Sequence, residues 1–242
     1  MASFSSSSST KEFNTFNDWF IIEGTIGAGK STMCRMLQEA LVDECEVLFE
    51  PVDKWRTTMD DEDGKNILQH FYEDQTRWSY SFQTYTFLTR MEDMMTKPQI
   101  KPFRFVERSI YTDKHVFAKS LTDMGKMKKL EWNMYNDWWN WLSKECFDKI
   151  SHPLGFIYLR TEPTTAYQRM LKRERSEEKC VPLDYLKINV QYHDDWLLSE
   201  EFKDKTLIID VNDDFESNPE EFARVKNLIM EFAKSKIEDK NM

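Results

Sequence analysis

The chain predicts an α/β fold in three layers, a five-stranded parallel sheet flanked by helices, and two observations predict it. Five short apolar runs alternate with longer stretches of helical periodicity. The first run is followed directly by "GTIGAGKS", a glycine-rich turn that opens onto a helix. The strands are read at 19–23, 46–49, 103–106, 155–159 and 206–210. Helices are read at 30–41, 66–96, 130–147, 164–173 and 183–198.

Each element has a stated reason. "WFIIE" is short, aromatic and β-branched, as a strand buried on both faces requires. "KSTMCRMLQEAL" repeats apolar residues at helical spacing. Between them, Gly24, Gly27 and Gly29 permit a backbone tight enough to aim several N–H groups at one anion, with Thr25, Ile26 and Ala28 completing the loop. In that arrangement Lys30 reaches terminal phosphates, the Ser31 hydroxyl ligates a divalent cation, and Thr32 continues the helix N-terminus. In parallel sheets ligands bind beyond the C-terminal strand ends, so the residues after each strand matter most. They are Glu50 after the second run, Glu107-Arg108-Ser109 after the third, and a helix leading to Arg169, Lys172, Arg173 and Arg175 after the fourth.

These residue types suit phosphoryl transfer, although position alone leaves alternatives open. Glu50 is either a carboxylate within reach of an attacking hydroxyl or a surface glutamate. Glu107 and Arg108 either serve a cation and a phosphate or pair with an outside partner. Arg169 and Arg173 share a helical face, whereas Arg175 converges with them only if the helix ends near Glu174. Gln83 and Arg90, seven apart, share a face with Phe82 and Phe87, and a glutamine amide offers one donor and one acceptor edge to a base. In "EWNMYNDWWNWL", Trp132, Tyr135, Trp139 and Leu142 form a sheet-packing face, leaving Trp138 and Trp141 on another face suited to a subunit contact.

Composition narrows the classes. At 242 residues one domain, 18–242, follows a serine-rich start at 1–17 that reads as a disordered tail. A net charge of −10 argues against a general nucleic-acid binder, so any phosphate site must be a local basic pocket. No run is apolar for long enough to span a bilayer, so no membrane partner is expected. Cys34, Cys45, Cys146 and Cys180 form no close pairs, which predicts a reducing compartment: the cytoplasm, with the mitochondrion as the alternative.

Together, "GTIGAGKST", "EPVDKW", "NILQHFYEDQTRWSYSFQTY", "ERSIYTDKHVFA", "RMLKRERSEEKCVPLDYL" and "DVNDDF" resemble the deoxynucleoside kinase family of the deoxycytidine and deoxyguanosine kinase type. The resemblance runs from about 20 to 215 and implies a P-loop nucleoside kinase fold with an arginine-rich lid. It implies ATP as donor, Mg²⁺ held by Ser31 and Glu107, a deoxynucleoside acceptor and a homodimer. By resemblance Glu50 takes the 5′-hydroxyl proton, Arg108 holds that hydroxyl and the transferred phosphate, and Lys30 serves the donor phosphates. Tyr72 and Glu178 match the positions that meet the sugar 3′-hydroxyl, and Gln83 with Trp55, Leu68, Phe82 and Phe117 matches the base pocket. Arg169, Arg173 and Arg175 match the lid, and Asp214 and Phe215 the loop around the donor's adenine. Arg90 and Asp113 match an arginine–aspartate pair that favours purines or cytosine over thymine, with purine deoxynucleosides placed first. Thr86 departs from the alanine, serine or valine of the relatives.

Two other function classes fit the sequence less well. A nucleoside monophosphate kinase needs a basic site for the acceptor's phosphate, which Glu50 would repel. A GTP-dependent switch has a match in "DEDG" at 61–64, but no guanine-binding Asn-Lys-x-Asp motif follows.

Overall fold

The computed structural model describes residues 18–97, 99–173, 175, 178 and 181–242. The serine-rich start lies outside the described residues, as do Glu174, Glu177 and Cys180. Five strands, β1 (Trp19–Glu23), β2 (Cys45–Leu48), β3 (Phe103–Glu107), β4 (Gly155–Arg160) and β5 (Thr206–Asp210), form one sheet in the order β2-β3-β1-β4-β5. Every neighbouring pair is parallel, as the alternation of elements predicts.

Because alternate residues face opposite ways, central β1 serves both cores. Trp19 and Ile21 pack on one face with Phe87 and Met91 of α4 (Gln75–Thr96), Phe147 of α7 (Lys129–Ile150) and Trp196 of α9 (Leu183–Leu197). Phe20 and Ile22 pack on the other with Met33 and Leu37 of α1 (Lys30–Ala40) and Val225 and Ile229 of α10 (Pro219–Asn241).

Several boundaries differ from the sequence reading. β2 starts at Cys45 and ends at Leu48, one residue earlier at each end than the apolar run. The single helix expected at 66–96 is two: α3 (Ile67–Glu73) closes and α4 opens at Asp74, whose carboxylate accepts from the Arg77 amide at 3.1 Å. Aspartate competes with helical backbone for such bonds, and here that side-chain cap wins over a continuous apolar period. α7 extends the expected 130–147 helix to Ile150, and α8 (Pro163–Lys172) ends before Arg173. Between β2 and α3 lies α2 (Val52–Thr57); α10 follows the Asn218-Pro219 cap.

After β3 the chain turns through α5 (Ile110–Thr112), a π-helical turn (Asp113–Ala118) and α6 (Lys119–Asp123). Among the described residues, no helix is long and apolar enough to cross a membrane. The free thiols of Cys34, Cys45 and Cys146 are buried.

Candidate active site

The glycine loop is shaped by what surrounds it. At Gly27 φ is +81°, and a Cβ there would lie 2.1 Å from the Ala166 carbonyl oxygen of α8. At Gly29, with φ +90°, it would lie 2.7 Å from the Phe215 ring, so each position needs glycine for both conformation and space. Lys30 opens α1 as a buried side chain whose Nζ donates to the Thr25 carbonyl at 2.7 Å. Burial, and then the like charge of Arg108, bring this ammonium down to about 7. A bound anion would restore its charge, since opposite charge nearby favours the protonated form.

Charged side chains from the ends of β2 and β3 meet others from α4 and the π-helical turn next to the loop. The Ser31 hydroxyl donates to Glu107 Oε1 at 2.5 Å, and Glu107 Oε2 accepts from the Glu50 amide at 3.3 Å. Arg90 NH2 donates to Glu50 Oε1 at 2.5 Å, while Arg90 Nε donates to Asp113 Oδ2 at 3.0 Å. Arg108 Nε stands 3.6 Å from Glu50 Oε1 and its guanidinium 4.9 Å from the centre of the Phe117 ring. Burial alone would raise the Glu50 carboxyl, but Arg90, Arg108 and Lys30 hold it down at about 2. Asp113 goes the other way: burial pushes it up to about 6 against the opposing pull of Arg90.

Arg108 is buried, yet its Nε and NH1 have no hydrogen-bond partner among the described residues. Its φ is +61°, one of two non-glycine residues with positive φ among those described. That bend answers how neighbours in a strand both reach one cleft: Glu107 and Arg108 line the same cavity because the backbone leaves the extended conformation between them.

This cavity, of about 400 Å³, collects most of the residues read from the sequence. Trp55, Leu68, Phe82, Gln83, Thr86, Arg90, Asp113 and Phe117 line one part. Trp55 meets Phe82 edge-on at 5.5 Å and is fixed by its indole N–H donating to Thr89 Oγ1 at 2.9 Å. Gln83 is buried with its Oε1 unpartnered, and Thr86 donates to the Gln83 carbonyl at 3.0 Å. Tyr72 and Glu178 line the wall between this part and the loop. Burial raises the Tyr72 phenol well above its usual range, so it stays an O–H donor. Glu178 accepts from Arg173 Nε at 2.9 Å and lies 3.6 Å from Arg175. α8 ends at Lys172, and beyond it Arg173 and Arg175 both line the cavity. Cations outnumber carboxylates in the cavity wall, which makes it the local basic pocket expected in an acidic chain.

Three residues read from the sequence take other positions. Arg169 donates to the carbonyls of Val211, Asn212 and Asp213 at 2.8, 2.9 and 3.0 Å, and does not line the cavity. The Asp214 carboxylate accepts from the amides of Glu216 and Ser217 at 3.0 and 3.2 Å, and the buried Phe215 packs under Gly29. Arg169 ties the loop after β5 to α8, Asp214 closes a turn within that loop, and Phe215 packs it against the glycine loop. Sequence reading missed Phe71 and Tyr185, both cavity-lining, and the wholly buried Glu23 at the end of β1.

A family model for deoxynucleoside kinase matches residues 20–234. A chicken protein, deoxycytidine kinase 2, is 39% identical over 223 residues, covering 81% of this chain and 83% of that protein. Human deoxycytidine kinase is 36% identical over 224 residues, 82% of this chain and 85% of its own length. Human mitochondrial thymidine kinase 2 is 39% identical over 177 residues, 73% of this chain and 63% of its own. With a phosphate loop, paired strand-end carboxylates and a lined cavity beside them, the chain belongs to the deoxynucleoside kinase family and is an ATP-dependent nucleoside kinase.

Proposed function

We propose that the acceptor is a deoxynucleoside whose base carries an exocyclic amine, phosphorylated at its 5′-hydroxyl. The observation that carries this reading is the buried Gln83 amide, with an unpartnered Oε1, in the same cavity as the buried Arg90–Asp113 pair. Such a wall offers donors and acceptors to a purine or cytosine edge; thymine would also bring an N3–H donor to Gln83 Oε1, so the discrimination rests on the Arg90–Asp113 pair, which crowds the thymine methyl. Trp55, Leu68, Phe82 and Phe117 flank that edge with apolar surface.

In this reading the loop 24–32 and Lys30 hold the donor's phosphates. Ser31 and Glu107 present a hydroxyl and a carboxylate oxygen side by side, the hard oxygen donors that suit Mg²⁺. When bound, that ion would neutralise charge on the donor phosphates. Glu50, held ionised, accepts the 5′-hydroxyl proton as that oxygen bonds to the γ-phosphorus and the bond from that phosphorus to the oxygen departing on ADP breaks. Arg108 steadies the hydroxyl and the transferred group with its unpartnered N–H groups, while Tyr72 and Glu178 fix the sugar. Arg173 and Arg175 stabilise charge spreading on the γ-phosphate. Arg169, Asp214 and Phe215 act indirectly by shaping the donor loop.

Sequence reading places purine deoxynucleosides first. Similarity to deoxycytidine kinases favours deoxycytidine as the second reading. Turnover of the four deoxynucleosides measured side by side decides between them, and a strong preference for thymidine would overturn the role given to Gln83 and the Arg90–Asp113 pair. The buried thiols support a reducing compartment, with the cytoplasm the proposed one. The outer face of α7 leaves Leu130, Trp138 and Trp141 at 71%, 49% and 58% exposure, which supports a homodimer.

A further inference from the structure

Glu23 ends β1 immediately before the glycine loop and is 0% exposed, yet it does not line the cavity. Its Oε1 accepts two hydroxyl protons, from Ser109 at 2.9 Å and from Thr112 at 2.5 Å. Each hydroxyl has one proton to give, so donating it to Glu23 leaves its lone pairs free to face elsewhere. Those lone pairs accept backbone N–H groups: Ser109 Oγ from the Tyr111 amide at 3.2 Å, and Thr112 Oγ1 from the Ser109 amide at 3.3 Å. Together they make the capping box that starts α5.

The bend at Arg108 sits directly before this box. On its strand side, the Arg108 amide donates to the Ile22 carbonyl at 3.0 Å, which keeps it in register with β1. On its far side, the Ser109 cap fixes where the helix begins. A positive φ at a residue with a Cβ is strained, so the bend persists only where its surroundings fix it from both ends. The Ile22 backbone carries the first constraint, and the side chain of the next residue, Glu23, carries the second by anchoring both capping hydroxyls. Arg108 and Lys30 place positive charge close to this carboxylate, which burial still pushes up to about 7.

We propose that Glu23 is a positioning residue for phosphoryl transfer: through Ser109 and Thr112 it holds the Arg108 bend that turns Glu107 and Arg108 together into the cavity. This rests on the reading of Arg108 and Glu107 given above. The role lies in orientation rather than substrate contact, so its loss should lower kcat with little change in nucleoside affinity. A misplacement of about 1 Å at a reacting group can cost on the order of 100-fold.

The test compares Glu23→Ala, Glu23→Gln, Ser109→Ala/Thr112→Val and Arg108→Ala, each assayed for kcat and nucleoside KM at saturating ATP and Mg²⁺. Glutamine keeps a carbonyl oxygen for the two hydroxyls, whereas alanine does not. The expected result is a fall in kcat of about 30-fold or more for Glu23→Ala and for the Ser109/Thr112 pair, with KM within about threefold, and rescue by Glu23→Gln to within about fivefold of wild type. Should Glu23→Ala fail to fold, the contrast between Glu23→Gln and the Ser109/Thr112 pair carries the same test. Near-normal kcat in the Ser109/Thr112 variant overturns the positioning role. A large defect in Arg108→Ala beside that result leaves the reading of Arg108 standing. Near-normal kcat in Arg108→Ala overturns that reading and the positioning role with it.

Discussion

Replacing Glu50 by glutamine removes one charge and one proton acceptor from the centre of the cavity while keeping shape. Arg90 can still donate to the remaining carbonyl oxygen, which sits where Oε1 accepts at 2.5 Å. Nucleoside KM should therefore stay within about threefold of wild type. Turnover loses the base, and general-base catalysis contributes about 100- to 10,000-fold, so kcat should fall by at least about 100-fold. The same substitution touches stability. The carboxyl lies at about 2 against an ordinary 4.5, which corresponds to roughly 3 kcal/mol of favourable interaction with Arg90, Arg108 and Lys30. Because the folded value is the lower one, that stabilisation is present above about pH 4.5 and disappears as pH falls toward 2. Arg90 keeps Asp113 as partner in the variant, so the expected loss at pH 7 is smaller, about 1–3 kcal/mol. A coupled assay of ADP release, with nucleoside titrated at saturating ATP, reads the first effect, and urea unfolding at pH 7 and pH 3 reads the second. Turnover within about threefold of wild type would remove Glu50 as the base, since no amide can take that proton.

Other residues give sharper partial tests. Gly27→Ala puts a Cβ 2.1 Å from the Ala166 oxygen, so ATP affinity by calorimetry should weaken at least about tenfold; unchanged affinity would show that the loop tolerates the shift. Gln83→Leu keeps volume but removes the base-edge amide, and nucleoside KM should rise about 10- to 100-fold with ATP KM unchanged; equal effects on both would place Gln83 outside the base site. If the proposed homodimer forms through α7, the double variant Trp138→Glu/Trp141→Glu should sediment with half the wild-type mass, and an unchanged mass would place any subunit contact elsewhere.

The sheet and the strand ends were legible because a parallel sheet collects its functional residues at one edge, and one glycine loop identifies that edge. Glu50, Glu107, Arg108 and the Trp55-to-Arg90 residues therefore fell together in the cavity. Helical spacing told which residues share a face but not what the face meets. Arg169 consequently read as a lid cation, while the structure commits it to three carbonyls of the loop after β5. Asp74 split a continuous period because a side-chain cap can outcompete the next helical turn. Glu23 was hidden for a different reason: within an apolar run it reads as part of a strand, and only the fold brings Ser109 and Thr112 to it across 86 and 89 residues.

The most direct measurement is the product formed when the protein meets ATP, Mg²⁺, all four deoxynucleosides and thymidine monophosphate in one vessel. The expected products are 5′-monophosphates of amine-bearing deoxynucleosides, formed one for one with ADP, and no ADP when every nucleoside is left out. Thymidine diphosphate as the main product, thymidine monophosphate newly made in preference to the other three, or steady ATP hydrolysis with no acceptor would contradict that expectation.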